Sequence, residues 1–321
     1  MCSSPREFSA GRDVETKKIA FLGDSHIQYF DYGARNGLYF PNQVKTCLVS
    51  AATVSGLRNE NSFTKAAPKF RKFLQGCEKD TIPIFQLGEV DCGILIWLKA
   101  AKHKTSIDEQ VTETCNIYLD FLQEVRDLGF REVAVTSATL PTILDTDVSG
   151  AVVSERRSKV KANLRQRTDL TLDFNDRLSE HCKGSGFRFI DATHRFLNGD
   201  SELCKPEFRN ARRGDHHMDN MRAGVEWAAE INNHFDDLES GNITLLRANT
   251  SSYIKKLNRS SADLPSDFLC RVKPGDVLEL DLVAERRGVL IARRAVLNGR
   301  VLPREYRYIW GQHYDRHEPR Q

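Results

Sequence analysis

The chain of 321 residues predicts an α/β fold, a doubly wound parallel sheet of five strands followed by a small all-β module. Three observations lead there. Short apolar runs alternate five times with longer segments of helical periodicity, the pattern of parallel strands joined by crossover helices. Polar clusters follow the first four of these runs, so all of them fall on one rim of such a sheet, where open α/β sheets hold ligands. After residue 241 no long helical period appears, and β-type runs (NITLLR, FLCRV, DVLELDLVAE, GVLIARRAVL) are separated by Pro-Gly, Arg-Gly and Asn-Gly turns.

The elements follow in order. Residues 1–16 read as a disordered tail. In the strand and turn over 17–25, Ile19-Ala20-Phe21-Leu22 is a continuous apolar run that breaks in Gly23-Asp24-Ser25, as expected of a strand covered on both faces. His26–Phe40 reads as a short helix and loop, Val44–Val54 as a second strand ending at Ser55-Gly56-Leu57, and Arg58–Ser62 as a polar loop. Phe63–Leu74 is expected to be helical. Thr81–Leu87 is a third strand that breaks at Gly88-Glu89-Val90-Asp91-Cys92-Gly93. In Ser106–Leu128, Val111, Cys115, Tyr118, Leu119, Leu122 and Val125 share one helical face, acidic residues open the segment and Gly129 stops it. Glu132–Ser137 is a fourth strand, residues 153–183 a long charged helix or helix pair, and Phe187–Ile190 a fifth strand. Asp215-His216-His217-Met218 then leads into a last amphipathic helix, Met221–Phe235. The domain expectation is therefore an α/β domain over 17–240 and a β module over 241–321, joined near Glu239-Ser240-Gly241.

Composition narrows the function. A hydrophobic fraction of 40% with 28% charged residues describes an ordinary globular protein, and a formal charge of +3 gives no reason to expect a nucleic-acid partner. No apolar run approaches the ~20 residues of a membrane span, and the N-terminus lacks a secretory pattern. The eight cysteines show neither CxxC nor zinc spacing, so reduced thiols, a cytosol-like compartment and no metal or cofactor are expected.

Ser25 sits where a nucleophile would need to be, at the carboxyl end of the first strand, beside the unpaired N–H groups that open a helix. The plainer role for Asp24 or Ser25 is to cap that helix. Asp215 with His216 or His217 supplies an orienting carboxylate and a base in one compact unit. His217 is favoured because the apolar Met218 follows it, with His216 as the alternative base. Taken alone, the histidine pair also reads as a solvated surface pair. Glu89 and Asp91 read first as buried, hydrogen-bonded braces of the third turn, and Cys92 as a core residue.

Gly23-Asp24-Ser25, Gly56, Gly88-x-x-Asp91 and the terminal Asp-His element together resemble the SGNH (GDSL-type) hydrolases, over about residues 17–238. The likeness is to a branch whose third block reads Gly-Glu-Val-Asp-Cys, here Gly88–Cys92, and whose second leads into Gly-Leu-x-Asn-x-Asn-Ser, here Gly56–Ser62. The resemblance implies a flavodoxin-like sheet and a catalytic triad of Ser25, Asp215 and His217. It places an oxyanion hole at the Ser25 and Gly56 N–H groups, with Asn59 or Asn61 standing in for the family's third-block asparagine, which is Val90 here. Glu89 and Asp91 flank that position as substrate-site candidates. His26 replaces the family's usual leucine, and Asp215-x-His217 is one residue tighter than the usual spacing.

The resulting expectation is a serine esterase or O-deacetylase acting on a small ester or O-acetyl group, on a small molecule or a carbohydrate, through an acyl-Ser25 intermediate. The alternatives are an O-acetyltransferase, or a non-catalytic protein that binds carbohydrate or a partner. The Arg-rich C-terminal stretch with Tyr306, Tyr308 and Trp310 offers a candidate surface for such binding.

Overall fold

The computed structural model describes residues 16–59, 61–147, 157–212, 214–235 and 243–317. Most of the expected N-terminal tail and the junction near 239–241 lie outside these residues. The chain divides into two compact units, Lys17–Phe235 and a C-terminal unit after it.

In the first unit β1 (Lys18–Gly23) pairs in parallel with β2 (Gln43–Leu48) on one side and with β3 (Thr81–Gln86) on the other. β4 (Ala134–Thr136) and β5 (Arg188–Ile190) complete a five-stranded, all-parallel sheet of order β2-β1-β3-β4-β5. β1 and β3 are buried along nearly their whole length, which explains their unbroken apolar runs. Their alternate side chains serve opposite faces. Ala20, Leu22, Phe85 and Val135 meet α3 (Ala66–Gln75), α5 (Ile107–Asp127) and α6 (Leu164–Ser185) through Phe70, Leu74, Tyr118, Phe121, Phe174 and Leu178. On the other face Phe21 stacks on Phe30 of α1 (Gln28–Arg35) at 4.2 Å, and Phe30 meets Trp227 of α8 (Asn220–Phe235) edge-on at 5.3 Å. This is the doubly wound arrangement that the alternation predicts.

Several boundaries moved, each for a local reason. The second strand stops at Leu48, and Val54–Leu57 forms a short helix, α2, capped by the Thr53 side chain. The third helix begins at Ala66, leaving Phe63 exposed. Asp91–Leu95, expected to be a turn, is one wide π-type helical turn that runs directly into α4 (Ile96–His103). α6 starts at Leu164 with a capping box between Asn163 and Gln166, so the described part of the expected 153–183 helix is shorter at its front. A single turn, α7 (Thr193–Phe196), follows β5.

The second unit is one antiparallel sheet around its own apolar core, which includes Leu246, Ile254, Val272, Leu280, Leu290 and Ile309. It comprises β6 (Ile243–Ala248), β7 (Ser252–Lys255), β8 (Leu269–Val272), β9 (Val277–Arg286), β10 (Val289–Leu297), β11 (Arg300–Val301), β12 (Tyr308–Trp310) and β13 (Tyr314–His317). Its path is β13-β6-β9-β10-β12-β7-β8, with β11 folded onto β10, and the Arg-Gly and Asn-Gly turns join β9 to β10 and β10 to β11. Tyr308 and Arg307 are buried, and Tyr306 and Trp310 are half-buried. The expected aromatic surface is therefore largely taken up in the module's own packing.

Candidate active site

β1 ends at Gly23 because no larger residue fits there: a Cβ would lie 2.2 Å from the Gln86 carbonyl oxygen of β3. The chain then makes a single tight turn, Ser25–Ile27, at the carboxyl rim of the sheet. Asp24 caps it, accepting the His26 N–H at 2.8 Å. The capping role considered for this motif thus falls to Asp24 and leaves the Ser25 side chain free for another partner. Ser25 is the first residue of the turn, so its N–H has no acceptor within it.

That other partner is His217. Its Nε2 lies 2.7 Å from Ser25 Oγ, 192 residues away in sequence, and its Nδ1 lies 2.6 Å from Asp215 Oδ1. The same carboxylate oxygen accepts the His217 backbone N–H at 3.0 Å. The tight Asp-x-His spacing is therefore sufficient, because one oxygen bridges the ring and backbone of the same histidine. Asp215 fixes the tautomer in which Nδ1 carries the proton and Nε2 faces the hydroxyl. Met218, 1% exposed, anchors the loop from below, and Thr142 donates to the His216 carbonyl at 2.8 Å. His216 packs its ring on His217, with centroids 4.0 Å apart, and makes no hydrogen bond to Ser25 among the described residues.

A second unit of the same shape faces the first. Asp24 Oδ1, besides capping the turn, lies 2.9 Å from His26 Nδ1. On the far side of the ring, His26 Nε2 lies 3.6 Å from Glu89 Oε2. His26 is 1% exposed, and its ring centroid stands 4.9 Å from that of His217. Burial opposes charge on His26, but Asp24 and Glu89 together outweigh it and push its pKa up to about 9. Burial pushes Glu89 upward, partly countered by His26. His217 is held below the ordinary histidine value by burial and by the charge on His26, against the pull of Asp215. Burial, with His26 and His217 beside it, depresses His216 further, to about 3.

Ring nitrogens of His26, His216 and His217 lie within 4.8 Å of one another, the one metal-like grouping among the described residues. A ring nitrogen ligates a metal only when unprotonated, and Asp24 at His26 Nδ1 and Glu89 at 3.6 Å from His26 Nε2 both favour the protonated ring.

The remaining candidates, Asp91, Gly56 and Asn59, take part in hydrogen bonds of the second rim loop. Asp91 is fully buried and accepts from the Val54 N–H (2.8 Å), the Ser55 N–H (3.1 Å) and the Ser55 hydroxyl (2.9 Å). It braces the start of α2, and burial raises its pKa despite these bonds. The Gly56 N–H faces its own cap, Thr53 Oγ1, at 3.0 Å. Asn59 is exposed, and its side-chain oxygen accepts the Asn61 N–H at 3.0 Å. No hydrogen bond joins Gly56, Asn59 or Asp91 to Ser25 or His217 among the described residues. Cys92 is fully buried, and burial drives its thiol pKa well above the ordinary value.

Sequence reasoning passed over His26, whose Glu89 neighbour is 63 positions away, and over the polar supports of the rim. Tyr29 donates to Gln86 and lies 2.8 Å from Thr139 Oγ1, tying α1 to the ends of β3 and β4. Asn175 of α6 accepts the Ala138 N–H at 2.7 Å and donates to the Ala138 carbonyl at 3.2 Å, pinning the loop after β4. A polar residue on the apolar face that carries Phe174 and Leu178 was the available signal for it.

The described cysteines are all free thiols, and no helix among the described residues is long and apolar enough to cross a membrane. No family model matches the chain, and no curated protein matches it. Solved structures that resemble it include GDSL-like lipases, SGNH hydrolases and acylhydrolases. One is a GDSL-like lipase from Bacteroides thetaiotaomicron, 14% identical, covering 66% of this chain and 87% of its own, with a TM-score of 0.40. Another is phospholipase A1 from Streptomyces albidoflavus, 12% identical, covering 68% of this chain and 99% of its own, also with a TM-score of 0.40. The likeness to these proteins is low, and the SGNH resemblance rests on this chain's own Gly23-Asp24-Ser25, Gly88-x-x-Asp91 and Asp215-x-His217.

Proposed function

We propose that the chain is a serine hydrolase of the SGNH type that cleaves a small ester or O-acetyl group through an acyl-Ser25 intermediate. The observation that carries this reading is the continuous chain of hydrogen bonds from Ser25 Oγ through His217 to Asp215. His217 Nε2 takes the Ser25 proton as Oγ attacks the carbonyl carbon, and the carbonyl oxygen becomes an oxyanion. Collapse breaks the bond to the alcohol oxygen, and the imidazolium returns that proton to the departing alkoxide. Water then repeats the sequence on the acyl-enzyme, its proton passing through His217 back to Ser25 Oγ, and the acid leaves. The Asp215 carboxylate keeps its charge throughout and stabilises the transient imidazolium. The Ser25 N–H is the oxyanion donor best supported by the turn geometry.

A rival reading, a ligand-binding protein that retains the fold, draws on Val90 in the asparagine position and on the Gly56 N–H facing Thr53. Losing one oxyanion donor typically costs about 3 kcal/mol of transition-state stabilisation. A fluorophosphonate probe separates the two. The hydrolase reading expects stoichiometric labelling that Ser25→Ala abolishes, together with p-nitrophenyl acetate hydrolysis that falls at least ~10³-fold in the same variant. Absence of labelling supports the binder, and hydrolysis that survives Ser25→Ala overturns the mechanism.

A further inference from the structure

Resting on the roles given above to Ser25 and His217, we propose that His26 is a positioning residue of this site. Clamped between the Asp24 and Glu89 carboxylates as a buried imidazolium, it confronts the His217 ring and keeps that ring neutral and able to take the Ser25 proton.

The geometry excludes direct contact with substrate, since His26 is 1% exposed and sealed beneath the rim. Its two nitrogens nonetheless face acidic groups from two different elements: Asp24 at 2.9 Å from the same turn, and Glu89 at 3.6 Å from the end of β3. Two buried carboxylates flanking one ring would be costly without a counter-charge, and a protonated His26 supplies one. That charge stands with its ring centroid 4.9 Å from the catalytic candidate. Two like charges at such a distance repel strongly in a partly desolvated site, so protonation of His217 is disfavoured while His26 is charged.

The other charged and titratable groups nearby fall into two sets. Asp215 and His216 share the His217 loop, and Asp215 pulls the ring toward the protonated form. Asp24 acts in the same direction from the Ser25 turn. Glu89 is influenced in turn by Asp91 beyond it and by Arg167 of α6, and Arg157 feels Glu89 from just before that helix. Against two carboxylates that favour protonation, burial and His26 prevail, leaving His217 below the usual histidine range. In a chain with leucine here, as is usual in the family it resembles, no such charge would be present.

The test reads the histidine itself. In the Ser25→Ala protein, NMR titration of the His217 ring is compared with the same measurement after adding His26→Leu or His26→Asn. Both replacements remove the charge, while asparagine keeps a polar group beside Asp24. The proposal expects both to raise the His217 pKa, by about half to one pH unit. With Ser25 restored, the acidic limb of kcat/KM should move upward by the same amount. A merely structural role predicts that asparagine restores the original titration, and that result overturns the proposal. So does an unchanged His217 pKa in a folded variant, and His26→Asn decides the matter if His26→Leu does not fold. If the wild type labels with no fluorophosphonate and hydrolyses no ester while the titration shifts as expected, the hydrolase reading fails and the electrostatic role of His26 stands.

Discussion

Removing the Asp91 carboxylate tests the brace on which the second rim loop depends. The group accepts three hydrogen bonds at the start of α2, from the Val54 N–H, the Ser55 N–H and the Ser55 hydroxyl. Alanine leaves all three donors without their acceptor. Val54 is buried, so its N–H bears the full desolvation penalty of a lost partner, about 1–3 kcal/mol. Ser55 is half-buried, water can replace part of its loss, and its two bonds together add about 1 kcal/mol. The expected destabilisation for Asp91→Ala is therefore about 3 kcal/mol, or a fall of roughly 6–12 °C in Tm for a unit of this size. Asparagine keeps one acceptor oxygen and sheds a charge that burial already disfavours, so Asp91→Asn should cost only about 1 kcal/mol. Urea unfolding measures both variants, and amide hydrogen exchange at Val54 and Ser55 should accelerate more in the alanine protein. An alanine variant within ~0.5 kcal/mol of wild type would refute the reasoning.

Three further outcomes are expected. Because His217 must be neutral to accept a proton and its pKa is depressed, kcat/KM for ester hydrolysis should rise with pH to a plateau through an apparent pKa below 6.5; a limb centred above 7 contradicts this. Gly23→Ala forces a Cβ to within 2.2 Å of the Gln86 backbone oxygen and 2.5 Å of Ile27 Cγ2, so the β1–β3 contact must open; calorimetry should show a loss of about 2–3 kcal/mol, and an unchanged Tm argues against the close approach. His26 is raised to about 9 in the folded protein against 6.5 unfolded, so its contribution is complete below pH 6.5 and is lost as pH climbs through 9. Between those values, wild-type unfolding free energy should fall by up to about 3 kcal/mol more than that of His26→Leu, and parallel pH profiles would count against an imidazolium at this position.

How much of this was legible in the sequence depended on the range of the interaction. β1 and β3 announced themselves because a strand covered on both faces must be apolar throughout, and Gly23 because the first strand stops there. The Asp215-x-His217 unit was readable because its hydrogen bonds close within three residues. The start of α2 was not. Val54 continues the apolar pattern of the preceding strand, and it takes a helical role with help from a carboxylate 37 positions away. Asp91–His103 was passed over because its apolar run, Cys92 to Leu98, has no polar face to reveal a helical period. His26 looked inert for a related reason: its neighbour in sequence explains one nitrogen, and only the folded chain brings Glu89 to the other.

Asp24-Ser25-His26 and Asp215-His216-His217 are two copies of one tripeptide device, each an aspartate whose single oxygen grips both the ring and the main chain of the histidine two places on. Each copy closes these two bonds within its own three residues. The demand on the fold is thus reduced to bringing two prefabricated tripeptides face to face across one hydroxyl. A scaffold that positions a strand end and an incoming helix at that separation would meet the same requirement, whatever its remaining sequence.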